Sequence, residues 1–520
     1  MNFRRLLGAI LFSSAFLTAL SFSWPADEAN ARDQAYRPQF HFTPAKNWMN
    51  DPNGLVFYEG EYHLFYQYNP FGNDWGHMSW GHAVSSDMVH WKDLPVALTE
   101  ENGIMIFSGS MVVDWHNSSG LCRSADKADK KDSSCLIAIY TGHTEHLQTQ
   151  NIAYSNDQGR TWSKYEGNPV IDLHLAGFRD PKVFWHEATR KWVMVTVLAG
   201  QHKVRFFGST DLKQWTALSD FGPAGATGGA WECPDLFQLP VENEAGKTKW
   251  VLSINIFPGG LTGGSGNQYF VGKFDGTTFS SDAPPEQTLW ADYGRDFYAS
   301  TSFSDIPQSD GRRIWMGWLN NWEYAPKVPT SPWRGAQSIP RELILRKSAD
   351  GLRLVQRPVT ELRCLRKQHV YLENQDIESA NRLLQAKRIG GETLEIIAEI
   401  ELGSADEVGF KVRKGPDQET LIGIDTGRSQ LFVDRTRSGN VTFDEHFSGR
   451  HAAPVGLAEK RVQLHIFLDR SSVEIFGNHG ETVISELIFP AAGSALEIYS
   501  NNGRARIRGL DIWKLRSSYQ

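Results

Sequence analysis

The chain has 520 residues and a formal net charge of −7, from 53 Lys and Arg against 60 Asp and Glu. This mildly acidic balance argues against a nucleic-acid-binding protein, because phosphate contacts need clustered Lys and Arg. Hydrophobic residues make up 40% and charged residues 22%, which excludes a disordered chain. The 12% of aromatic residues and the 47 glycines favour many short strands joined by tight turns.

The first residues have the features of a secretion signal. Arg4 and Arg5 precede an uncharged apolar run at residues 6–24, and a small-x-small triplet follows at residues 29–31. We therefore predict that residues 1–31 are a cleaved signal peptide and that the mature protein is secreted or periplasmic, without membrane attachment. The alternative is an uncleaved membrane anchor, because the apolar run is long for a signal peptide.

The cysteines and histidines offer no metal site. The sequence contains no CxxC pair and no HExxH motif, and its 16 histidines show no metal-ligand spacing. Cys122 and Cys135 flank a polar loop rich in Lys and Asp. Because export permits disulfides, a Cys122–Cys135 bond is one expectation and two free thiols is the other.

Aromatic segments with alternating hydrophobicity recur along the first two thirds of the chain. Residues 54–69 and residues 182–196 each predict two strands joined by a turn. A Ser, an Asp and a closing Trp recur in segments that end at Trp91, Trp162 and Trp215, and FDGTTF, which ends at Phe279, is a looser fourth. Repeats at this spacing, with strand pairs between them, are typical of propeller blades. We predict a five-bladed β-propeller at residues 36–357.

The sequence pattern changes after residue 357. Residues 358–389 are charged and poor in aromatics, which predicts a linker with one short helical pattern at Glu378–Ile389. The alternating segments that follow predict a β-sandwich at residues 390–520. Its charged residues, such as Asp469 and Glu474, lie in patterns typical of solvated strand faces. The predicted fold is therefore all-β, a five-bladed β-propeller followed by a C-terminal β-sandwich.

Three acids open separate repeats, each in a turn rich in Gly, Pro and aromatic residues. Asp51 lies in NWMNDPNG, Asp180 in GFRDPKVFW and Glu232 in GGAWECPDLF. One such acid has a simpler explanation, since Asx side chains cap turns. Three acids at the starts of blades would converge on the propeller axis, and converging carboxylates in an aromatic pocket are what glycoside cleavage requires.

The sequence surroundings suggest different roles for these acids. Asp51 lies among the amide donors of Asn50 and Asn53, which favour a carboxylate and therefore a nucleophile. Glu232 follows a Trp, and an apolar wall favours the protonated form that a proton donor needs. Arg179 would keep the adjacent Asp180 ionised, so Asp180 is predicted to bind sugar hydroxyls.

Together these motifs resemble the β-fructofuranosidases of glycoside hydrolase family 32, which include invertases, inulinases and levanases. The resemblance covers about residue 36 to the end and is closest to bacterial levanases and exo-inulinases. The segments that carry it are WMNDPNG at 48–54, FYQYNP at 65–70, FSGS at 107–110, FRDP at 178–181, WECP at 231–234, MGWLNNWEY at 316–324 and DRSSVEIFGN at 469–478.

The resemblance implies a retaining mechanism and a set of site residues. Asp51 would be the nucleophile that forms a fructosyl-enzyme at C2, and Glu232 the general acid and then base. Asp180 would hold the terminal fructose hydroxyls and stabilise the transition state. The remaining residues implied to line the sugar site are Trp48, Met49, Asn50, Gln67, Trp75, Phe107, Ser108, Arg179 and Trp318. No metal or organic cofactor is implied.

We therefore predict a monomeric exo-β-fructosidase that hydrolyses terminal β-D-fructofuranosyl residues of levan and inulin, and also sucrose. Its partner is the fructan or sucrose substrate, with no nucleic acid and no membrane. The alternatives that share this chemistry are a sucrose-preferring invertase and a fructosyltransferase, which passes fructose to a sugar acceptor. An inverting arabinanase-like enzyme would lack WMNDPNG, and a non-catalytic fructan-binding protein would lack one of the acids.

Overall fold

The computed structural model describes residues 32–123 and 133–519. The predicted signal peptide, residues 1–31, lies outside the described residues. Within the described ranges the chain is built from strands, with one α-helix, Ile377–Ala386 (α1), so the all-β prediction is confirmed. The same ranges contain no helix that is both long and apolar enough to cross a membrane. Short 3-10 segments lie at Ala199–Gln201, Ala325–Lys327, Thr360–Leu365, Ala458–Lys460 and Asn478–Gly480.

The first part of the described chain forms five sheets of four or five strands. The first contains β1 Asn47–Tyr58, β2 Glu61–Tyr68, β3 Ser79–Ser85, β4 Lys92–Leu98 and, from later in the chain, β21 Trp333–Arg334. The second contains β5 Met105–Val113, β6 Leu136–His143, β7 Gln148–Ser155, β8 Ser163–Lys164 and β9 Ile171–Leu175. The third contains β10 Phe178–His186, β11 Lys191–Leu198, β12 Lys203–Ser209 and β13 Thr216–Phe221.

Two further sheets complete this part. The fourth contains β14 Ala230–Pro240, β15 Thr248–Phe257, β16 Gly266–Phe274, β17 Phe279–Ser281 and β18 Leu289–Trp290. The fifth contains β19 Tyr298–Ser302, β20 Arg313–Trp318, β22 Arg341–Ser348 and β23 Gly351–Pro358. The first strands of the five sheets, β1, β5, β10, β14 and β19, contact one another in sequence, and β19 contacts β1. The first strands therefore form a closed ring of contacts.

Apolar side chains fill the space between consecutive sheets. Trp80 of the first sheet shares a core with Met111 of the second, and Trp315 of the fifth shares one with Phe237 of the fourth. Comparable cores lie between the second and third, the third and fourth, and the fifth and first sheets. Each sheet is thus covered on both faces, which explains why its strands are so rich in aromatic and β-branched residues.

The repeated Ser, Asp and aromatic residues form the same turn in successive sheets. In the first sheet, Asp87 Oδ1 accepts backbone N–H groups of Val89 and His90 at 2.9 and 2.8 Å. The Trp91 indole N–H donates to the carbonyl of Met88 at 2.9 Å. Asp and Trp bonds of this kind recur in the second and third sheets. The signature therefore marks the turn that precedes the outermost strand of the sheet.

The second part of the chain consists of two further sheets. One has six strands: β24 Arg366–Asp376, β25 Leu394–Glu401, β30 Arg461–Asp469, β31 Ser472–Gly477, β32 Thr482–Leu487 and β34 Arg506–Leu515. The other has five: β26 Glu407–Lys414, β27 Thr420–Asp425, β28 Gln430–Asp434, β29 Arg450–Pro454 and β33 Ala495–Asn501. Ile396 and Ile466 of the first sheet share a core with Phe410 and Ile422 of the second. Two sheets around one apolar core are the arrangement of a β-sandwich.

The predicted linker at residues 358–389 is wrong. It contains β24, which pairs along its length with β34, and α1, whose N-terminus is capped by Asp376 Oδ1 accepting from the Ser379 N–H. Strand β24 is the edge strand of its sheet, and among its residues only Val370 and Leu372 are buried. Apart from Tyr371, its exposed positions are polar, so its composition is that of a loop.

The expectation that Asp469 and Glu474 face solvent is also wrong. Both side chains are fully buried against the first part of the chain, where His41 Nδ1 and Nε2 each lie 2.8 Å from one of these carboxylates. Although burial lowers it, the two carboxylates raise the pKa of His41 to about 9. Arg341 bonds Glu474 as well. The charges of these strands therefore belong to an interface between the two parts.

Cys122 and Cys135 form a disulfide, which confirms the bonded alternative. We expect the Cys122→Ser/Cys135→Ser variant to lose about 3 kcal/mol of its free energy of unfolding, because the bond restricts the unfolded chain. Urea unfolding of the oxidised protein measures this loss, and the unbonded Cys364 supplies a matched Cys364→Ser control that should leave the midpoint unchanged. Equal midpoints for the double variant and the wild type would contradict the expectation.

Candidate active site

The first strand of each of the five sheets has a pairing irregularity near its start. The register shifts lie between Met49 and Pro52, Ile106 and Gly109, Arg179 and Lys182, Glu232 and Asp235, and Tyr298 and Thr301. Bulges of this kind re-aim side chains and are common beside active sites. The three predicted acids and Ser108 therefore lie at corresponding places on neighbouring strands.

The backbone at three of these places is unusual. Asp180, Cys233 and Ala299 have φ angles of 62°, 44° and 51°, in the left-handed region that non-glycine residues seldom adopt. Backbone strain of this type persists only where the surrounding structure holds it, and it concentrates at functional sites.

Asp51 is buried and accepts hydrogen bonds on both carboxyl oxygens. Asn50 Nδ2 donates to Oδ1 at 3.0 Å, and Ser108 Oγ donates to Oδ2 at 2.6 Å. Asn53, the second expected donor, instead bonds the Pro52 carbonyl. Burial raises the pKa of Asp51 above its ordinary value, and this effect outweighs the lowering by Ser108 and Asn50. Asn50 therefore favours the carboxylate as expected, but burial has the larger effect on the pKa of Asp51.

Arg179 bonds a different acid from the one expected. Its Nη2 lies 2.8 Å from Glu232 Oε1, whereas its Nε lies 3.7 Å from Asp180 Oδ2. The Cys233 backbone N–H donates to Asp180 Oδ2 at 2.9 Å. Burial raises the pKa of Asp180 despite the nearby guanidinium. Arg179 therefore bridges two acids instead of neutralising one.

Glu232 is the most exposed of the three acids, with 23% of its side chain accessible. Its second oxygen accepts a hydrogen bond from the hydroxyl of Tyr298. Burial and the neighbouring Glu232 raise the pKa of Tyr298 well above its ordinary value, so Tyr298 acts as a donor. Tyr298 was not predicted from the sequence, although it opens the first strand of the fifth sheet as the acids open theirs.

Cys233 joins the acids into one cluster. Its Sγ lies 3.4 Å from Asp51 Oδ2 and 3.7 Å from Asp180 Oδ2. Burial and the surrounding carboxyl groups raise the pKa of the thiol well above its ordinary value, so Cys233 remains a thiol. It is a packed donor between two carboxyl groups.

Aromatic residues surround the acids. The Trp48 indole N–H donates to Asn50 Oδ1 at 2.7 Å, and the Trp48 ring stacks on Trp322 with centroids 5.8 Å apart. Trp318 packs against both rings and is fully buried. Trp48 therefore orients the amide that bonds Asp51.

A second aromatic group lies on the neighbouring side. Phe107 stacks on His143 at 4.1 Å, and the Trp75 ring lies edge-on to Phe107 at 6.1 Å. Trp75 is 44% exposed, unlike the buried tryptophans of the cluster. This places an exposed indole beside the strand that carries Ser108.

Two predicted sugar-lining residues have other surroundings. Met49 is fully buried in the core between the first and fifth sheets, which also contains Leu64 and Met316. Gln67 is buried and donates through Nε2 to Asn53 Oδ1 at 2.7 Å and to the Ile106 carbonyl. Gln67 therefore stabilises the turn that contains Asp51.

Residues 41–358 match the N-terminal domain of glycosyl hydrolases family 32, and residues 361–514 match the C-terminal domain of the same family. Levanase of Bacillus subtilis (strain 168) is 50% identical over 519 residues, which cover 99% of this chain and 75% of the relative. The extracellular exo-inulinase of Aspergillus awamori is 40% identical, with 94% of this chain and 96% of the relative covered. A crystal structure of exo-inulinase from that fungus has a TM-score of 0.85 at 38% identity and covers 94% of this chain and 99% of its own. The resemblance inferred from the motifs is thus confirmed, and the chain belongs to glycosyl hydrolase family 32.

Proposed function

We propose that this protein is a secreted exo-β-fructosidase that removes terminal fructofuranosyl residues from levan and inulin, and also from sucrose. The observation that carries the proposal is the cluster of Asp51, Asp180 and Glu232 at matching bulges of β1, β10 and β14. Membership of family 32 and the likeness to a levanase and an exo-inulinase support the substrate class.

The five sheets are the five blades of a β-propeller in this proposal. The closed ring of first strands and the apolar core between each pair of consecutive sheets support that arrangement. The parallel pairing of β21 with β1 ties a late segment of the chain to the first sheet. The ring brings acids that are far apart in sequence to one end of a common axis.

The chemistry follows from the surroundings of each acid. Asp51 attacks C2 of the terminal fructose while Glu232 gives its proton to the leaving oxygen, which forms a covalent fructosyl-enzyme. Glu232 then takes a proton from water, the water oxygen attacks C2, and Asp51 leaves with the configuration retained. Arg179 and Tyr298 stabilise the Glu232 carboxylate that exists between these steps. Asp180 binds hydroxyl groups of the same fructose unit.

Differences in burial support attack at a chain end. Asp51 and Asp180 are 8% and 6% exposed, whereas Glu232 lies nearer solvent and Trp75 is more exposed still. This increase in exposure from Asp51 and Asp180 to Trp75 suits a pocket that encloses the terminal sugar ring and leaves the rest of the fructan outside. Remote contacts to that ring can then be converted into transition-state stabilisation.

Product analysis tests this proposal directly. Early samples from levan and inulin should contain free fructose, with little loss of polymer size, and sucrose should yield fructose and glucose. A ladder of oligosaccharides before fructose accumulates would show an endo-acting enzyme. Transfer products at low substrate concentration would show that a sugar, not water, is the preferred acceptor.

Secretion and a monomeric state are parts of the same proposal. The extracellular exo-inulinase relative and the Cys122–Cys135 disulfide support an oxidising compartment. N-terminal sequencing of the mature protein should place the first residue after the predicted cleavage site, at residue 32. Light scattering of the purified protein should give the mass of one chain.

Ser108→Ala should move the acid side of the pH profile to higher pH. Ser108 donates a hydrogen bond to Asp51 and lowers its pKa, and the nucleophile must be ionised to react. A hydrogen bond to a charged group contributes about 1.5–3 kcal/mol. The apparent pKa of the acid limb of the kcat/KM profile should therefore increase by about one to two pH units.

The matched control for this variant is Ser110→Ala. Ser110 lies on the same strand and its Oγ accepts from the Val183 N–H at 3.0 Å, without a bond to Asp51. Its acid limb should stay at the wild-type pH. An unchanged limb in Ser108→Ala, measured on sucrose, would show that Asp51 does not set the acid limb.

A further inference from the structure

Apart from the catalytic cluster, a cavity lies at the opposite ends of the strands that carry the acids. It has a volume of about 1010 Å³ and is lined by the ends of β5, β10 and β14, among them Val113, Trp185 and Gln238. Asp180 and Trp185 are five positions apart on β10, which at about 3.3 Å per residue separates them by roughly 16 Å. The cavity is therefore distinct from the catalytic cluster.

Exposed tryptophans are concentrated in these two places. Across residues 32–123 and 133–519, the exposed tryptophans are Trp75, Trp115 and Trp185, at 44%, 50% and 38%. Trp75 lies beside the catalytic cluster, whereas Trp115 and Trp185 both line the cavity. Large aromatic surface left in water commonly marks a binding site.

Hydrogen bonds hold both indoles of the cavity in place. Trp115 Nε1 donates to Asp305 Oδ1 at 2.8 Å, and Trp185 Nε1 donates to Glu187 Oε2 at 2.8 Å. The Trp185 ring also packs edge-on against Trp192, with centroids 5.2 Å apart. Both rings therefore offer fixed apolar faces to a ligand and lose little conformational freedom when it binds.

The polar groups of the cavity indicate a neutral ligand rich in hydroxyl groups. Its acidic residues are Asp114, Glu187, Asp275 and Asp305, against the basic residues Lys182 and Arg313. This excess of acids disfavours a phosphate or another anion. Aromatic faces combined with carboxylate, amide and guanidinium groups suit the apolar faces and hydroxyl groups of a sugar.

We propose that this cavity is a second, non-catalytic carbohydrate site, which holds an internal segment of a fructan. The choice of fructan rests on the proposed function. One chain cannot pass between the two sites along the axis, because the buried Lys182 ammonium bonds the Ser302 carbonyl at 2.5 Å and lies 3.5 Å from Asp235. A polymer held there keeps its ends at a high local concentration near the catalytic cluster.

Affinity electrophoresis in gels that contain soluble levan, inulin or dextran tests the site. An Asp51→Asn background prevents digestion of the polymer. Trp115→Ala/Trp185→Ala should raise the dissociation constant for levan about tenfold, a loss of about 1.4 kcal/mol, because both aromatic faces of the site are removed. Phe71→Ala removes an aromatic residue that is 77% exposed outside the cavity, and it should bind levan as the background does.

A second variant tests whether a folding defect in the double variant explains its weaker binding. Ala188 is an exposed residue of the cavity wall, so Ala188→Arg obstructs the cavity and removes no packing. It should weaken levan binding as the double variant does. In the active enzyme both changes should raise KM for levan several-fold while kcat for levan and kcat/KM for sucrose stay within twofold.

Each contrary result has a separate meaning. Unchanged levan binding in both cavity variants, or an equal loss of sucrose hydrolysis, would overturn the second site. Dextran retardation that these variants abolish would overturn the assignment to fructan. A wild-type enzyme that releases no fructose from levan would instead refute the proposed function, whatever the cavity variants do.

Discussion

Asp51→Gly should lower fructose release by about 10⁴-fold or more, and sodium azide should restore part of the lost rate. The small side chain leaves space for an anion where the Asp51 carboxylate attacks C2. Azide then enters from the nucleophile's face, so the product should be a fructosyl azide of inverted configuration. Nuclear magnetic resonance of the isolated azide identifies that configuration.

Azide rescue of Glu232→Ala should give a fructosyl azide with the configuration opposite to that from Asp51→Gly. In Glu232→Ala the nucleophile is intact, so an activated donor such as β-fructosyl fluoride still forms the fructosyl-enzyme without a proton donor. Azide then attacks this intermediate and gives a product with the original configuration. Natural substrates should react about 10²- to 10⁴-fold more slowly, because they need the proton that Glu232 supplies.

Asp180→Gly is the control for these two variants, because it leaves the same space for azide as Asp51→Gly does. Asp180 is predicted to bind hydroxyl groups and to form no bond to C2, so its loss should lower kcat/KM without rescue by azide. Rescue of the Asp180 variant with inversion would assign the nucleophile to Asp180. Retained configuration from Asp51→Gly would contradict the assigned pair.

Arg341→Ala should produce a large loss of stability at the interface between the two parts of the chain. Arg341 is fully buried and bonds Asp292 at 3.0 Å, Ser485 at 2.6 Å and Glu474. Its removal leaves the buried Asp292 without its cation and Glu474 with His41 alone, which costs about 3–5 kcal/mol of the free energy of unfolding. Urea denaturation at neutral pH measures this loss.

Arg312→Ala is the matched control for Arg341→Ala. Arg312 pairs with Asp310 and Glu361 at the surface, with side chains 20% to 25% exposed, and such pairs contribute about 1 kcal/mol or less. The kcat of Arg341→Ala on sucrose, measured where the variant is folded, should remain close to that of the wild type. Equal destabilisation by the two arginine variants would contradict a special role for the buried network.

Features with a local cause could be predicted from the sequence. The turn around Asp87 has its donors and acceptors within a few residues, so its repeat is visible along the chain. The acids were found because Gly, Pro and aromatic residues surround them. Tyr298 was missed because its sequence surroundings are those of an ordinary strand tyrosine. Only the ring of strands shows that its hydroxyl bonds Glu232.

Features that depend on distant partners could not be predicted. An alternating strand does not reveal whether its polar face meets water or another part of the chain, and for Glu474 it meets Arg341. The choice of Arg179 between two acids depends on a contact with Glu232, which is 53 positions away. Strand β24 has a loop-like composition because edge strands bury few residues, and its partner β34 lies at the far end of the chain.

The place of β34 in its sheet has a consequence for the order in which the protein folds. β34 lies between β24 and β25, which are synthesised more than a hundred residues earlier. The Ser518 N–H then bonds the Gln39 carbonyl, and the Tyr519 hydroxyl bonds that of His41. Until the ribosome reaches this strand, the six-stranded sheet has a gap between β24 and β25, and the contacts to residues 39–41 are unmade. The nascent chain therefore reaches its native state only after β34 has been made, because the strand that completes the sheet makes contacts that are distant in sequence.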